Sequence, residues 1–207
     1  MTIYRRSPSL AAASRRSIDV IVVVAVAPLL VPLVLLLALI VKLDSPGPAF
    51  WSHSRVGRGG KTFKMLKLRT MGADAEQRKA ALKHLNVLEW PDFKIPNDPR
   101  VTRVGRWLRK TSLDELPQFW NVLRGDMTLV GPRPCSVPVS DYKLWQTERL
   151  EATPGLFGRW QACGRNRADF DKRCRMDIAQ LRSQSMRDAV RDAVGTVLAL
   201  MRTREEF

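Results

Sequence analysis

Asp114 and Glu115, two adjacent carboxylates, stand among residues that suit them to chemistry. Thr111 and Ser112 precede them, Arg106, Arg109 and Lys110 lie just upstream, and Arg124 and Arg133 lie downstream. Gly131-Pro132-Arg133-Pro134 closes the stretch. A carboxylate holds Mg²⁺ or attacks phosphorus, and guanidinium groups grip phosphate oxygens with paired donors. This grouping reads as a phosphate-handling site.

The local pattern gives these carboxylates a place. Ser112 and Glu115 have the S-x-x-E spacing of a capping box. Alternatively Asp114 is the N-cap, with Glu115 at the first helical position and Pro117 at the third. Either arrangement predicts both carboxylates at a helix start, where the backbone favours negative charge. Spacing alone would make them caps; the flanking cations and the glycine–proline block argue for chemistry.

Further elements supply the cations. Val101 to Lys110 reads as a basic amphipathic helix with apolar Val101, Val104, Trp107 and Leu108, delivering Arg106, Arg109 and Lys110 beside the carboxylates. Arg55 to Lys61 is a glycine-rich basic turn between two short strands, read as a hairpin turn rather than a phosphate cradle. Lys64, Lys67 and Arg69 alternate in the second strand, on or near one face, and cations so grouped call for an anion. Ala73 to Trp90 has helical composition, and Pro91, Pro96 and Pro99 then impose a loop. After Pro134 the chain is looser, with Arg159 and Arg165 on a glycine-rich loop or short strand. Met186 to Met201 carries Ala189, Val190, Ala193, Val194, Val197 and Leu198 on one helical stripe, facing either a core or a membrane surface.

The chain has 207 residues and a formal net charge of +15, which suits an anionic partner. Its three cysteines, Cys135, Cys163 and Cys174, form no C-x-x-C, which speaks for a reducing compartment and against zinc or a disulfide framework. His53 and His84 are too isolated for a metal cluster. A membrane-anchored nucleic-acid binder is an alternative on charge, but the basic residues are interleaved with glycine, proline and acids and show no nucleic-acid-binding motif, which argues against it.

Val20 to Val41 is an uninterrupted apolar run long enough to span a bilayer. No small-residue cleavage site follows it, which argues against a signal peptide. Pro28 and Pro32 lie inside it and bend a helix. Arg15 and Arg16 precede the run, and Lys42, Arg55, Arg58 and Lys61 follow it, so the positive-inside rule places both ends in the cytoplasm. A helix broken near Pro28 and returning to the same face satisfies this; a kinked span is the alternative. Residues 1–42 are thus expected to form a basic N-terminus and membrane-inserted broken helix, and 43–207 a cytoplasmic domain. The expected class is α+β, mainly helical, with a re-entrant membrane helix hairpin, interfacial amphipathic helices and a small globular domain with a short β-hairpin.

Four segments taken together, RSIDV, KLDSPGPAFWSHSRVGRGGKTFKMLKLRTM, DPRVTRVGRWLRKTSLDELPQFWNVLRGDMTLVGPRP and PGLFGRWQACGRN, closely resemble the bacterial sugar transferases of the small monotopic polyprenyl-phosphate phosphoglycosyl transferase type. The resemblance covers roughly residues 15–167. It implies transfer of a sugar 1-phosphate from a nucleotide diphosphate sugar to polyprenyl phosphate on the cytoplasmic face of the bacterial plasma membrane, with Mg²⁺ and a ping-pong course. Asp114 would match the nucleophile, and Glu115 its partner in metal binding. Arg133 would match a phosphate-binding arginine, supported by Lys67, Arg69 and Arg109. Pro28 would match the break in the re-entrant helix. Ala27 and His53 depart from the family pattern, where serine and glutamine are common. A non-catalytic scaffold and a transferase of a non-sugar phosphate group are the competing readings.

Overall fold

The computed structural model describes residues 10–87, 95–162, 169–182 and 185–202. Arg5, Arg6, Cys163, Arg165 and the last residues of the expected 73–90 helix lie outside these, as do the side chains of Met186 and Met201. The architecture is α+β and mainly helical, with a long apolar N-terminal helix and two small sheets.

Helix α1 runs from Leu10 to Asp44 and keeps both Pro28 and Pro32 inside it. The turn between two helices expected near Pro28 does not form: both prolines lie inside one continuous helical element. Its first part docks through Arg16, which donates to the carbonyls of Val122 and Leu123, and through Asp19. Val23 enters a core with Met65, Val122, Met127 and Leu156. Its last part supplies Leu37, Ala38 and Val41 to a second core with Ala49, Leu68 and Leu108. Between them Leu29, Val31, Leu35 and Leu36 are more than half exposed. Ala13–Asp44 is also the candidate membrane span by length and hydropathy among the described residues.

Strands β1 (Phe50–Val56) and β2 (Thr62–Leu68) form the expected antiparallel hairpin, with Trp51 opposite Lys67 and His53 opposite Met65. Lys64 leaves the face shared by Lys67: its ammonium donates to Ser54 Oγ at 3.1 Å. The predicted 73–90 helix shortens to α2 (Ala75–Lys79) and a 3₁₀ turn at Lys83–Leu85. Helix α3 (Arg103–Thr111) matches the amphipathic prediction, burying Leu108 and exposing Trp107.

The capping box does not form. Ser112 ends α3 in the left-handed conformation at φ 57°, Leu113–Glu115 is a 3₁₀ turn, and α4 (Gln118–Arg124) begins after Pro117. The proline lacks the N–H that a longer helix would need, so the carboxylates lie on a turn wedged between two helices. Strand β3 (Thr128–Val130) pairs in parallel with β4 (Gly155–Phe157). A Cβ on Gly155 would lie 2.1 Å from Gly131 N, so the approach that seats the Gly131–Pro134 segment needs glycine there. Helices α5 (Arg159–Ala162), α6 (Phe170–Arg182) and α7 (Met186–Arg202) complete the fold. The stripe read on α7 does not face the core: Val190, Val194, Val197 and Leu198 are exposed, and Asp192 and Thr196, which lie off that stripe, turn inward instead.

Candidate active site

The 3₁₀ turn holds Asp114 and Glu115 against β2. Asn121 of α4 fixes that strand from its side: Leu66 N donates to Asn121 Oδ1 at 2.9 Å, and Asn121 Nδ2 donates to Lys64 O at 2.8 Å. Lys67, the next residue along, therefore has a set position. Its ammonium donates to Glu115 Oε1 at 2.9 Å and reaches Asp114 Oδ2 at 3.4 Å. Arg133 approaches from the Gly-Pro-Arg-Pro segment and donates through NH2 to the same Glu115 Oε1.

These contacts separate the two carboxylates electrostatically. Burial works against the charge of Glu115, but Arg133 and Lys67 outweigh it and hold the carboxyl well below its usual range. Asp114 is buried and has only the longer contact to Lys67; burial raises its pKa, with Lys67 and Arg109 pulling the other way. Glu115 is thus a fixed anion, and Asp114 is the carboxylate whose charge is incompletely compensated.

Arg109 stands behind Asp114 and contributes to its field. Its Nε donates to Thr70 Oγ1 at 2.8 Å. Gly105 makes this possible: a Cβ there would lie 2.0 Å from Thr70 O, so only glycine lets α3 close onto the end of β2. Arg133 NH1 is buried and has no hydrogen-bond partner among the described residues. A buried guanidinium nitrogen without an acceptor is costly and fits an anionic ligand. Lys67, Arg109 and Arg133 are therefore brought together around the carboxylates.

Arg69 is not. All five of its donors are taken by the end of α1 and the turn after it. Nε donates to Pro48 O at 2.6 Å, NH1 to Ser45 Oγ at 2.9 Å and Pro46 O at 2.8 Å, and NH2 to Ser45 O at 2.7 Å and Val41 O at 3.4 Å. Where phosphate support was expected of Arg69, the structure has it clamp α1 to β2 and cap carbonyls that the helix leaves unmet.

Several supporting residues escaped sequence reasoning. Arg149 pairs with Asp177 through Nε at 3.0 Å and NH2 at 2.6 Å, and NH2 also donates to Arg133 O at 2.8 Å. That buried pair fixes the backbone of Arg133 from behind. Asp19 accepts from Thr128 Oγ1 at 2.6 Å and Leu129 N at 3.0 Å. An acid immediately before an apolar run was the available signal, since such a charge needs partners. Asp98 and Arg100, held together by paired contacts, brace the loop before α3.

Among the described residues no group of three or more His, Cys, Asp or Glu side chains could hold a metal alone. Asp114 and Glu115 supply two hard oxygen donors. Mg²⁺ commonly takes one or two carboxylates and completes its shell with water and substrate phosphates, so this donor set fits it.

Residues 10–203 match the family model described as bacterial sugar transferase. The chain belongs to the bacterial sugar transferase family. It is 38% identical over 180 residues to the exopolysaccharide production protein ExoY of Sinorhizobium fredii, covering 84% of this chain and 79% of that protein. It is 44% identical over 159 residues to the UDP-glucose:undecaprenyl-phosphate glucose-1-phosphate transferase of Caulobacter vibrioides, covering 72% and 54%. The undecaprenyl-phosphate galactose phosphotransferase of Salmonella typhimurium is 44% identical over 178 residues, 79% of this chain and 35% of that protein. The chain spans 32% to 37% of the length of several such relatives. In this sugar transferase the Asp114–Glu115 turn, Lys67 and Arg133 form one contiguous cluster.

Proposed function

We propose that this chain transfers a sugar 1-phosphate from a nucleotide diphosphate sugar, a UDP-sugar, to polyprenyl phosphate at the cytoplasmic membrane face, beginning surface polysaccharide or glycoconjugate assembly. The observation that carries this reading is the pairing of a locked Glu115 with an incompletely compensated Asp114, inside a ring of Lys67, Arg109 and Arg133. The names of the relatives support the acceptor, since two of them are undecaprenyl-phosphate transferases.

In this mechanism an oxygen of Asp114 attacks the phosphorus that bears the sugar. The bond to the bridging oxygen breaks, UMP leaves with the electron pair, and an aspartyl phosphosugar remains. An oxygen of polyprenyl phosphate then attacks the same phosphorus, and the aspartate oxygen departs as a carboxylate. Lys67, Arg109 and the unpaired NH1 of Arg133 face the charge that grows on the phosphoryl oxygens. Asp114 and Glu115 would hold Mg²⁺, which neutralises phosphate charge when bound. Burial keeps water from the ester between the two transfers.

The two reactants differ in solubility, so the site must lie at the headgroup plane. Docking of both parts of α1 on one domain supports the re-entrant reading. Val23 and Leu37 are roughly four turns apart, ~21 Å of straight helix. The cores that receive them are anchored by Met65 and Leu68, ~10 Å apart on β2. Pro28 and Pro32 both lie between these two anchor points.

The test is a donor screen with purified protein, polyprenyl phosphate, Mg²⁺ and a panel of UDP-sugars, reading UMP release. Incubation without lipid should leave one phosphosugar on Asp114, located by mass spectrometry of quenched protein. A requirement for both reactants to be bound before UMP leaves, with no adduct trapped, overturns the covalent route.

A further inference from the structure

The face of the hairpin that carries Lys67 extends across to β1. Trp51 lies opposite Lys67, His53 opposite Met65 and Arg55 opposite Phe63, so all six side chains share one side of the sheet. On β2 that side is occupied: Lys67 meets the catalytic carboxylates, and Met65 and Phe63 enter the core shared with α4. On β1 it is open. Trp51 is 44% exposed and His53 is exposed. The two rings meet edge to face, with centroids 6.0 Å apart and planes at 75°.

Charge brackets this face. Lys67 stands at one end and Arg55 further along. Val56 N donates to Cys135 O at 2.9 Å, so the segment bearing Arg133 meets β1 where the strand ends. Loss of water around the His53 ring and the nearby cations Arg55, Lys67 and Lys79, opposed by Glu76, push its pKa down to about 4. His53 is therefore a neutral aromatic ring at physiological pH. A bilayer contact on this face would call for apolar side chains beside Trp51, whereas His53 and Arg55 share it and the exposed Phe50 lies on the opposite face. Aromatic rings within a cationic border, next to a phosphoryl-transfer site, have the chemistry that binds a nucleotide.

We propose, resting on the reading of the donor as a nucleotide diphosphate sugar, that the Trp51–His53 face of β1 is the subsite for its nucleoside monophosphate half. Trp51 stacks on the base, Arg55 faces the phosphate that departs with it, and the sugar-bearing phosphorus lies at Asp114. The subsite gives the enzyme a means of choosing its donor separate from the phosphate clamp that donor and lipid acceptor share.

The experiment measures binding of UMP and of ribose 5-phosphate, which lacks a base, to the full chain by calorimetry, with donor and acceptor KM alongside. Trp51→Ala should weaken UMP binding and raise donor KM together by about tenfold, the scale of one lost stacking contact. Trp51→Phe should restore most of both, and ribose 5-phosphate affinity should not respond to Trp51→Ala. Unchanged UMP affinity in Trp51→Ala overturns the proposal. So does a rise confined to the KM of polyprenyl phosphate, which would give the face to the lipid. Dependence of UMP binding on Trp51 in a protein that releases UMP from no UDP-sugar would sustain the subsite and sink the transfer reading instead.

Discussion

Lys67 Nζ lies 2.9 Å from Glu115 Oε1. The same ammonium is 3.4 Å from Asp114 Oδ2, and Arg133 joins it on Glu115. Two neighbouring carboxylates, identical in chemistry and one bond apart in the chain, are thereby given different work. Glu115 holds the cations in place. Asp114 keeps the less fully compensated charge.

Replacing Asp114 by Asn should stop UMP release by at least ~10³-fold, as loss of a nucleophile does. Folding and membrane partition should persist, because the amide keeps the shape and Glu115 keeps both cations. Burst UMP release at the wild-type rate would remove Asp114 from the nucleophile's role.

The acid side of the pH profile follows from the raised pKa of Asp114. The ionised form attacks, so donor kcat/KM should fall as pH drops through the folded-state pKa, which lies above the ordinary value of 3.8. Glu115 is held low by Arg133 and Lys67 and stays charged over that range. Measured profiles flat down to pH 4 would contradict this assignment.

Arg133→Ala should lower donor kcat/KM by ~10²-fold, the usual cost of removing one donor from a developing oxyanion. Membrane partition should hold. The comparison with Arg133→Lys is informative, since lysine supplies charge to Glu115 but no second nitrogen to a phosphate.

Arg69→Ala should behave differently. It removes five hydrogen bonds, to four carbonyls and one hydroxyl, so stability should fall by about 3 kcal/mol or more. Donor KM in the surviving folded fraction should move less than threefold. A large KM change at unaltered melting temperature would return Arg69 to the phosphate site.

Asp177→Asn leaves Arg149 buried without its counter-charge, and breaking such a pair costs about 3–5 kcal/mol. Arg149→Met should cost stability on the same scale and also loosen Arg133, whose carbonyl loses its donor. The combined variant should cost less than the sum of the two, read by denaturant melts and a double-mutant cycle.

The hairpin, α3 and the carboxylate pair were legible because each rests on local signals: alternation, helical spacing and charge grouping. The capping box was legible but wrong, because Pro117 and the left-handed Ser112 make the turn a joint between helices. Arg69 resembled Lys67 in the sequence, two residues away and just past the end of its strand. What distinguishes them is the path of the chain after α1, which folds its carbonyls back over the guanidinium. Arg149 and Asp177 become partners only through the packing of α6 on the 3₁₀ segment Leu144–Glu151, a long-range contact that spacing does not encode. On α7 apolar periodicity was read correctly, yet periodicity cannot say which side of the helix meets the protein.

The clamp made by Arg69 bears on the turn it grips. Pro46, Gly47 and Pro48 are exposed, and exposed connections generally accept extra residues at little cost. Here the oxygens of Ser45, Pro46 and Pro48 must all converge on one planar side chain, so the distance along the chain between α1 and β1 is fixed. A single residue inserted between Ser45 and Ala49 would misalign that convergence and loosen α1 from the strand that carries Lys67.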